Sequence, residues 1–128
     1  MKLLLDTHIF LWYINGDKRL SNDKRDDIRD LNNEVYLSVV SIWEAIIKYQ
    51  LGKLPLPQPP ETYLPTQRKQ HQIMSLTLNE DSVAYLAQLP SLHRDPFDRM
   101  LICQASVHGL SLMTDDTIIQ QYPVQIFP

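Results

Sequence analysis

The sequence predicts an α/β fold with a mostly parallel central sheet, and three observations support that class. Short apolar runs alternate along the chain with segments whose apolar residues recur at helical spacing. The run Leu3-Leu4-Leu5 is apolar throughout, which is typical of a strand buried on both faces of a sheet. Helices between successive strands imply right-handed crossovers, which cover both faces of the sheet with helices.

In the first half of the chain these patterns predict two strands and three helices. They are, in order, a strand over Lys2–Asp6, a helix over Thr7–Ile14, a helix over Ser21–Leu31, a strand over Val35–Val40 and a helix over Ser41–Leu51. Ser21 is a typical N-cap for the second of these helices. Gly52 is a usual stop signal just past the third.

Residues 55–65 separate the two halves and hold five of the nine prolines, so we predict an extended connector there. The patterns beyond it predict three strands, three helices and a helical turn. They are, in order, a helix within Glu61–His71, a strand over Ile73–Leu78, a helix near Glu80–Leu89, a helix over Asp95–His108, a strand over Leu110–Thr114, a helical turn over Thr117–Gln121 and an edge strand over Val124–Phe127. Pro96 in the first turn and Gly109 past the end support the helix over Asp95–His108.

Length and composition predict a single domain over residues 1–128. The chain is 44% apolar and 21% charged, which is ordinary for a globular protein. No apolar run is long enough to cross a membrane, and the lone Cys103 fits a reducing compartment, so we expect a cytoplasmic protein. The net charge of −3 provides no global basic field, so a nucleic-acid partner would need a local positive patch or a bridging metal.

Four acids stand where a parallel sheet would gather them on one edge. Asp6 and Asp116 follow predicted strands, while Glu44 and Asp98 lie in the first turns of predicted helices. Carboxylates that share a pocket repel one another and call for a cation, and oxygen ligands favour Mg²⁺ or Mn²⁺. Acidic sites of this kind hydrolyse phosphodiesters, so the sequence predicts a metal-dependent enzyme.

Each acid also has an ordinary structural explanation. Ser41 and Glu44 have the spacing of a capping box, and Asp95 and Asp98 repeat that spacing at the next helix start. Asp6 and the pair at 115–116 are equally compatible with strand ends and turns. The convergence of all four acids on one edge favours the metal site, and capping does not exclude it.

Other common active-site patterns are absent from the sequence. There is no glycine-rich phosphate loop and no GxSxG motif. The histidines have no HxxxH spacing and no cysteine pair accompanies them, so we do not expect a zinc site. These histidines are His8, His71, His93 and His108.

Four segments together resemble the PIN-domain family, and within it the VapC-like toxins of bacterial type II toxin–antitoxin systems. They are LLDTHIFLW, SVVSIWEAIIKYQLGKL, LPSLHRDPFDRMLICQA and LSLMTDDTIIQQYPV. The resemblance implies a three-layer α/β/α PIN-like fold and one PIN-like domain. It also implies a Mg²⁺-dependent endoribonuclease that acts on RNA, is neutralised by a cognate antitoxin and forms homodimers, with Mn²⁺ able to replace Mg²⁺.

The resemblance assigns the catalytic and metal-binding roles to Asp6, Glu44, Asp98 and Asp116, which we call the acid quartet. Asp98 is preferred to Asp95 by its distance to the following helix residues, and Asp116 to Asp115 by the pattern Thr-x-Asp. Four further residues are expected to support the site: two threonines by hydrogen bonds to the acids or to metal-bound water, and two aspartates as neighbours of the ligands. They are Thr7, Asp95, Thr114 and Asp115.

Basic and aromatic residues near the acid quartet suggest surfaces for substrate and partners. The candidates for binding RNA phosphates are Lys48, Lys53, Arg94 and Arg99, and solvated surface charge is the alternative. Arg99 can alternatively pair with a quartet acid. Trp12, Trp43 and Tyr49 are expected in the core or at a dimer interface, with base stacking as the alternative. A catalytically inactive PIN-like module for protein interaction or RNA binding is the alternative function, and cleavage of DNA also stays open.

Overall fold

A computed structural model describes residues 1–128 and contains a four-stranded parallel sheet with six α-helices. The strands are β1 (Lys2–Leu5), β2 (Glu34–Ser38), β3 (Met74–Leu76) and β4 (Ser111–Met113). The helices are α1 (Thr7–Asn15), α2 (Asn22–Arg29), α3 (Val39–Gln50), α4 (Pro60–Gln70), α5 (Glu80–Tyr85) and α6 (Pro96–His108), with 3₁₀ turns at Leu86–Gln88 and Ile119–Gln121. The strand order is β3-β2-β1-β4 and every pairing is parallel, which confirms the predicted α/β class with three layers.

The central strand β1 is buried on both faces. Leu3 and Leu5 belong to a core cluster with residues of α1, α2 and α4, whereas Leu4 belongs to a second cluster with residues of α6. Successive side chains of a strand point to opposite faces, so an all-leucine strand supplies both layers of core. This explains why β1 lacks the alternation of apolar and polar residues found in a half-exposed strand.

The register of the sheet places the ends of three strands side by side. Leu5 pairs with Leu37 on one side and with Met113 on the other. The backbone N–H of Asp6 donates to the Met113 carbonyl at 3.0 Å, which extends the β1–β4 pairing by one residue. The residues after β1, β2 and β4 therefore meet at one edge of the sheet, as predicted for the acids.

Helix α3 begins earlier than predicted. Its N-cap is Ser38, whose side chain accepts a hydrogen bond from the Val40 N–H at 3.0 Å and donates to Gln104 on α6 at 2.6 Å. The β-branched pair at 39–40 favours a strand, but Val40 packs in the α6 cluster and this contact overrides its strand propensity. Ser41 is therefore not a cap, and the capping-box explanation for Glu44 is wrong.

The proline-rich connector is shorter than predicted. Helix α4 begins at Pro60 and contains Pro65, so the exclusion of helix across 55–65 is wrong. Proline is well tolerated at the first position of a helix, where its missing N–H has no intrahelical partner. Pro65 costs one helical hydrogen bond, but Leu64 beside it is fully buried and anchors the helix in the core.

Two elements predicted in the second half of the chain differ in extent from those of the structure. The segment 124–127 makes only a parallel bridge between Leu112 and Ile126, so the predicted edge strand is wrong. Tyr122 and Phe127 are buried around this bridge, and two backbone hydrogen bonds join the segment to Leu112 of β4. The helix predicted near 80–89 is divided into α5 and a 3₁₀ turn. None of the helices has the length and apolar content required to cross a membrane.

Candidate active site

Asp6 follows β1 and forms the N-cap of α1. One carboxylate oxygen accepts a hydrogen bond from the Ile9 N–H at 2.8 Å, and the Thr114 hydroxyl donates to the other. The residue is 4% exposed. Burial raises the pKa of Asp6, although both hydrogen bonds oppose that effect. The first quartet acid is thus a strand-end residue held by the neighbouring strand.

Glu44 lies in the second turn of α3 and is 1% exposed. The Thr7 hydroxyl donates to its Oε1 at 2.7 Å and lies 2.9 Å from the Ser41 hydroxyl. Its Oε2 accepts from the ammonium of Lys48, one turn further along the helix. A buried carboxylate with these partners satisfies its charge within the protein, as burial of a charge demands.

Asp98 lies in the first turn of α6, and Asp95 is the N-cap of that helix. Oδ1 of Asp95 accepts from the Phe97 N–H at 2.8 Å and the Asp98 N–H at 3.2 Å. In a reciprocal capping box Asp98 would accept from the Asp95 N–H, but that N–H donates to His93 instead. Only the N-cap half of the predicted box is therefore present, and the Asp98 carboxylate is directed to the site.

Asp116 follows β4, and hydrogen bonds hold both its backbone and its carboxylate. Its backbone N–H donates to the Thr114 hydroxyl at 3.0 Å, and its Oδ1 accepts from the Ile118 N–H at 2.8 Å. Its Oδ2 lies 2.9 Å from the Nε2 of His93. Burial alone would raise the pKa of Asp116, but the hydrogen bonds outweigh burial and lower it.

His93 is a site residue that the sequence did not reveal. Its ring lies between Asp116 and Asp98, with Nε2 at 3.3 Å from the Asp98 Oδ2. No zinc-type spacing marks it in the sequence, because its neighbours are acids on other elements. Its position two residues before the N-cap Asp95, at the acid-bearing edge of the sheet, was the available signal.

The electrostatics indicate that these acids act on one another. Burial is the main cause that raises the pKa of Asp98 to about 7. The negative charges of Asp95, Glu44 and Asp6 act in the same direction. Asp6, Glu44 and Asp98 are therefore close enough for their negative charges to repel one another. A cation bound among them would relieve that repulsion.

Two overlapping sets of donor atoms fit a metal ion. Glu44, Asp95 and Asp98 form one set, and His93 and Asp116 form the other with Asp98. Within each set the donor atoms lie within 4.8 Å of one another. Carboxylate oxygens dominate both sets, which suits a hard divalent cation such as Mg²⁺ or Mn²⁺.

Lys48 already places a positive charge beside these acids. Its ammonium pairs with Glu44 and lies 3.8 Å from Oδ2 of Asp95. Burial alone would lower the pKa of Lys48, but the hydrogen bond to Glu44 and the nearby acidic charges outweigh burial and raise it. The predicted phosphate-binding lysine is thus an internal counter-ion of the acids in this structure.

A cavity of about 280 Å³ opens beside the quartet. Its lining comprises Asp6, Asp98, Asp115 and Asp116 together with His8, Ile9, Trp12 and Arg19. The Arg19 guanidinium lies 5.0 Å from the centre of the Trp12 ring and pairs with Asp17. Trp12 itself is half-buried at the cavity wall. Trp43, in contrast, is 54% exposed and lies outside the core.

The remaining predicted residues lie further from the acids. Asp115 lines the cavity and pairs with Lys24, and exposed Lys53 lies near Trp12. Arg94 is exposed and makes no ion pair. Arg99 donates to the Leu89 carbonyl at 3.3 Å. The suggestion that Arg99 pairs with a quartet acid is wrong, because its guanidinium is used to hold the segment before α6.

Known proteins resemble this chain in sequence and in fold. The family described as "PIN domain" matches residues 3–125. The chain belongs to the PIN domain family. Over 64 residues, half of the chain, this PIN domain is 34% identical to "Ribonuclease VapC16" of Mycobacterium tuberculosis, and the match spans 45% of that protein.

Two solved structures have the same fold as this PIN domain. VapBC2 from Rickettsia felis bound to a promoter DNA fragment matches with a TM-score of 0.74 and 16% identity, over 100% of this chain and 98% of the other. VapBC-1 from nontypeable Haemophilus influenzae matches with a TM-score of 0.64 and 18% identity, over 94% and 91%. At these identities the likeness concerns the fold, which confirms the three-layer prediction.

Proposed function

We propose that this PIN domain is a VapC-like endoribonuclease toxin that uses Mg²⁺, with Mn²⁺ able to replace it, to hydrolyse phosphodiester bonds of RNA. The observation that carries the proposal is the convergence of four acids from four separate elements: Asp6, Asp98 and Asp116 line one cavity, and Glu44 lies in a set of possible metal donors with Asp98. The partial relative that is named a ribonuclease supports the choice of RNA.

In this proposal the quartet holds the metal, and the nearby hydroxyls orient the quartet. Thr7 donates to Glu44 and Thr114 donates to Asp6, so each buried acid is held in one orientation. Asp95 keeps the first turn of α6 in place, and Asp115 lies at the mouth of the cavity. When bound, the metal polarises the scissile phosphate and activates water as the nucleophile.

The substrate must approach a cavity that is lined mostly by acids. Arg19 on the cavity wall, together with Lys53 and Arg94 at the surface, can bind phosphates that flank the cleaved bond. Lys48 neutralises Glu44 before the metal binds and is available to a phosphate afterwards. Among the residues predicted to bind phosphate, Arg99 is the least suited, because its guanidinium donates to the Leu89 carbonyl.

The test of the activity is cleavage of single-stranded RNA by purified protein with and without Mg²⁺ or Mn²⁺. We expect metal-dependent cleavage that is lost in Asp6→Asn, while the metal-free variant stays folded. Single-stranded and duplex DNA are the matched substrates that test for a general nuclease. A folded protein that binds RNA but cuts no substrate with either metal would support the inactive-module alternative.

The proposal includes an antitoxin partner and a homodimer in the cytoplasm, with residues 1–128 acting as one domain. The VapBC structures among the similar folds support the antitoxin. Trp43 and Ile47 on α3 and the C-cap Leu51 are exposed, apolar and spaced by four residues, so they form one apolar face that suits a self-complementary contact with a second copy.

Light scattering of the purified protein tests the dimer. Trp43→Glu should give a monomer, because it replaces the largest side chain of the apolar face with a charge. Leu31→Glu is the control, since Leu31 is 89% exposed and lies outside that face. A wild-type monomer would exclude this part of the proposal and leave the nuclease assignment intact.

A further inference from the structure

His93 presents one ring nitrogen to two acids on different elements. Its Nε2 lies 2.9 Å from Oδ2 of Asp116, after β4, and 3.3 Å from Oδ2 of Asp98, in the first turn of α6. Only 12% of its side chain is exposed. The ring therefore bridges two members of the acid quartet within the protein.

The hydrogen bond at the opposite ring nitrogen fixes the tautomer. The backbone N–H of Asp95 donates to Nδ1 of His93 at 3.0 Å. A backbone N–H can only donate, so Nδ1 must present its lone pair and the ring proton resides on Nε2. His93 consequently faces the acids with an N–H group and not with a free lone pair.

The backbone of the same segment is also held. The N–H groups of Leu92 and His93 donate to the hydroxyl of Tyr122 at 3.0 and 2.7 Å. Tyr122 is buried in the α6 core cluster and follows Asp116 in the chain. Both the ring and its backbone are thus positioned before any cation enters, which is the arrangement expected of a group that orients ligands.

We propose that His93 is a positioning residue of the metal site: its Nε2–H holds Asp116 and Asp98 together, and it is not itself a metal ligand. The inference rests on the proposed metal dependence. A carboxylate has about four lone-pair positions, so each acid keeps positions for a cation after accepting from His93. If Nε2 were a ligand, the ring would have to move its proton to Nδ1 and give up the bond from the Asp95 N–H, or lose that proton altogether.

The two roles predict different metal preferences. A nitrogen ligand would strengthen binding of Zn²⁺ relative to Mg²⁺, because imidazole suits zinc and carboxylate oxygens suit magnesium. An N–H donor acts on the metal only through the carboxylates, so it changes the binding affinity of every divalent cation to a similar degree. The ratio of zinc to magnesium affinity therefore separates a positioning residue from a ligand.

The experiment compares the wild type with His93→Ala, His93→Gln and His93→Asn by calorimetric titration with Mg²⁺, Mn²⁺ and Zn²⁺, after metal-free melting has shown each to be folded. The Gln amide nitrogen reaches the position of Nε2, whereas the Asn amide reaches only that of Nδ1. We expect His93→Ala and His93→Asn to weaken all three metals by about 10- to 100-fold. His93→Gln should recover most of that loss, with the zinc-to-magnesium ratio unchanged throughout.

Two results would overturn the inference: a selective loss of Zn²⁺ in His93→Gln, which would make the ring a ligand, or undiminished binding of all metals in His93→Asn. If His93→Ala fails to fold, the comparison of Gln with Asn still decides. A wild type that binds none of the three metals would overturn the proposed metal dependence together with this inference. Either of the first two results would overturn this inference alone.

Discussion

The Thr114 hydroxyl donates a hydrogen bond to the carboxylate of Asp6, although the two residues are 108 positions apart in the sequence. They follow the neighbouring strands β4 and β1, and both are almost completely buried. The same hydroxyl accepts from the Asp116 N–H at 3.0 Å. One small side chain thereby links the acids that end the two strands.

Thr114→Val should destabilise the protein, because it keeps the shape of the side chain but leaves a buried carboxylate without its donor. We expect the free energy of unfolding to fall by about 1–3 kcal/mol. Thr114→Ser is the control, since it keeps the hydroxyl and loses only a methyl group, worth about 1 kcal/mol. Chemical denaturation of both variants measures the difference, and equal losses would show that the hydrogen bond contributes little.

Asp95→Asn and Asp98→Asn should separate a helix cap from a metal ligand. Asparagine caps helices as well as aspartate does, so if Asp95 is only a cap, Asp95→Asn should change stability by less than about 0.5 kcal/mol and keep most RNA cleavage. Asp98→Asn should be at least as stable without metal, since it removes a repelled charge, yet lack activity. Cleavage and melting are assayed side by side, and an active Asp98→Asn beside an inactive Asp95→Asn would reverse the assignment. Equal loss of cleavage in both variants would mean that both carboxylates serve the metal, since both belong to one donor set.

The pH dependence of metal-free stability should reveal Asp98. Its folded pKa of about 7 lies above its ordinary value of 3.8, so the folded state binds the proton more tightly than the unfolded state. The resulting stabilisation is complete below about pH 4 and is lost as the pH rises through about 7. Asp6, whose pKa is also raised, acts in the same direction.

Melting temperatures measured without metal should therefore fall between about pH 5 and about pH 8, and Asp98→Asn should flatten the decline. The stabilisation produced by Mg²⁺ should grow over the same range, because protons and the cation compete for the carboxylate. The lowered pKa of Asp116 has its effect only in acid, outside this window. An equally steep decline in Asp98→Asn would assign the titration to another group.

Lys48→Met tests the lysine as an internal counter-ion. The substitution preserves most of the side-chain length but leaves Oε2 of Glu44 without its donor, so metal-free stability should fall by about 1–3 kcal/mol. Binding of Mg²⁺ should strengthen, since the cation no longer competes with an ammonium group. Weaker Mg²⁺ binding in the variant would contradict that competition.

The sequence predicted those parts of the site that depend on local patterns. The positions of Asp6 and Asp116 follow from short apolar strands, and the N-cap Asp95 follows from the Asp-Pro start of α6. The start of α3 was misplaced because strand propensity at Val40 is overridden by packing against α6. His93 was missed because its role depends on Asp98 and Asp116 and on a backbone N–H, and none of these contacts has a fixed spacing.

The pairing of β1 with β4 joins the first strand of the chain to the last one. Leu5 and Met113 are partners in the sheet, and Asp6 depends on Thr114 for a hydrogen bond. The quartet therefore cannot assemble on a nascent chain whose final strand is still inside the ribosome. Under the proposed function, cleavage of RNA would begin only after that strand has left the ribosome and paired with β1.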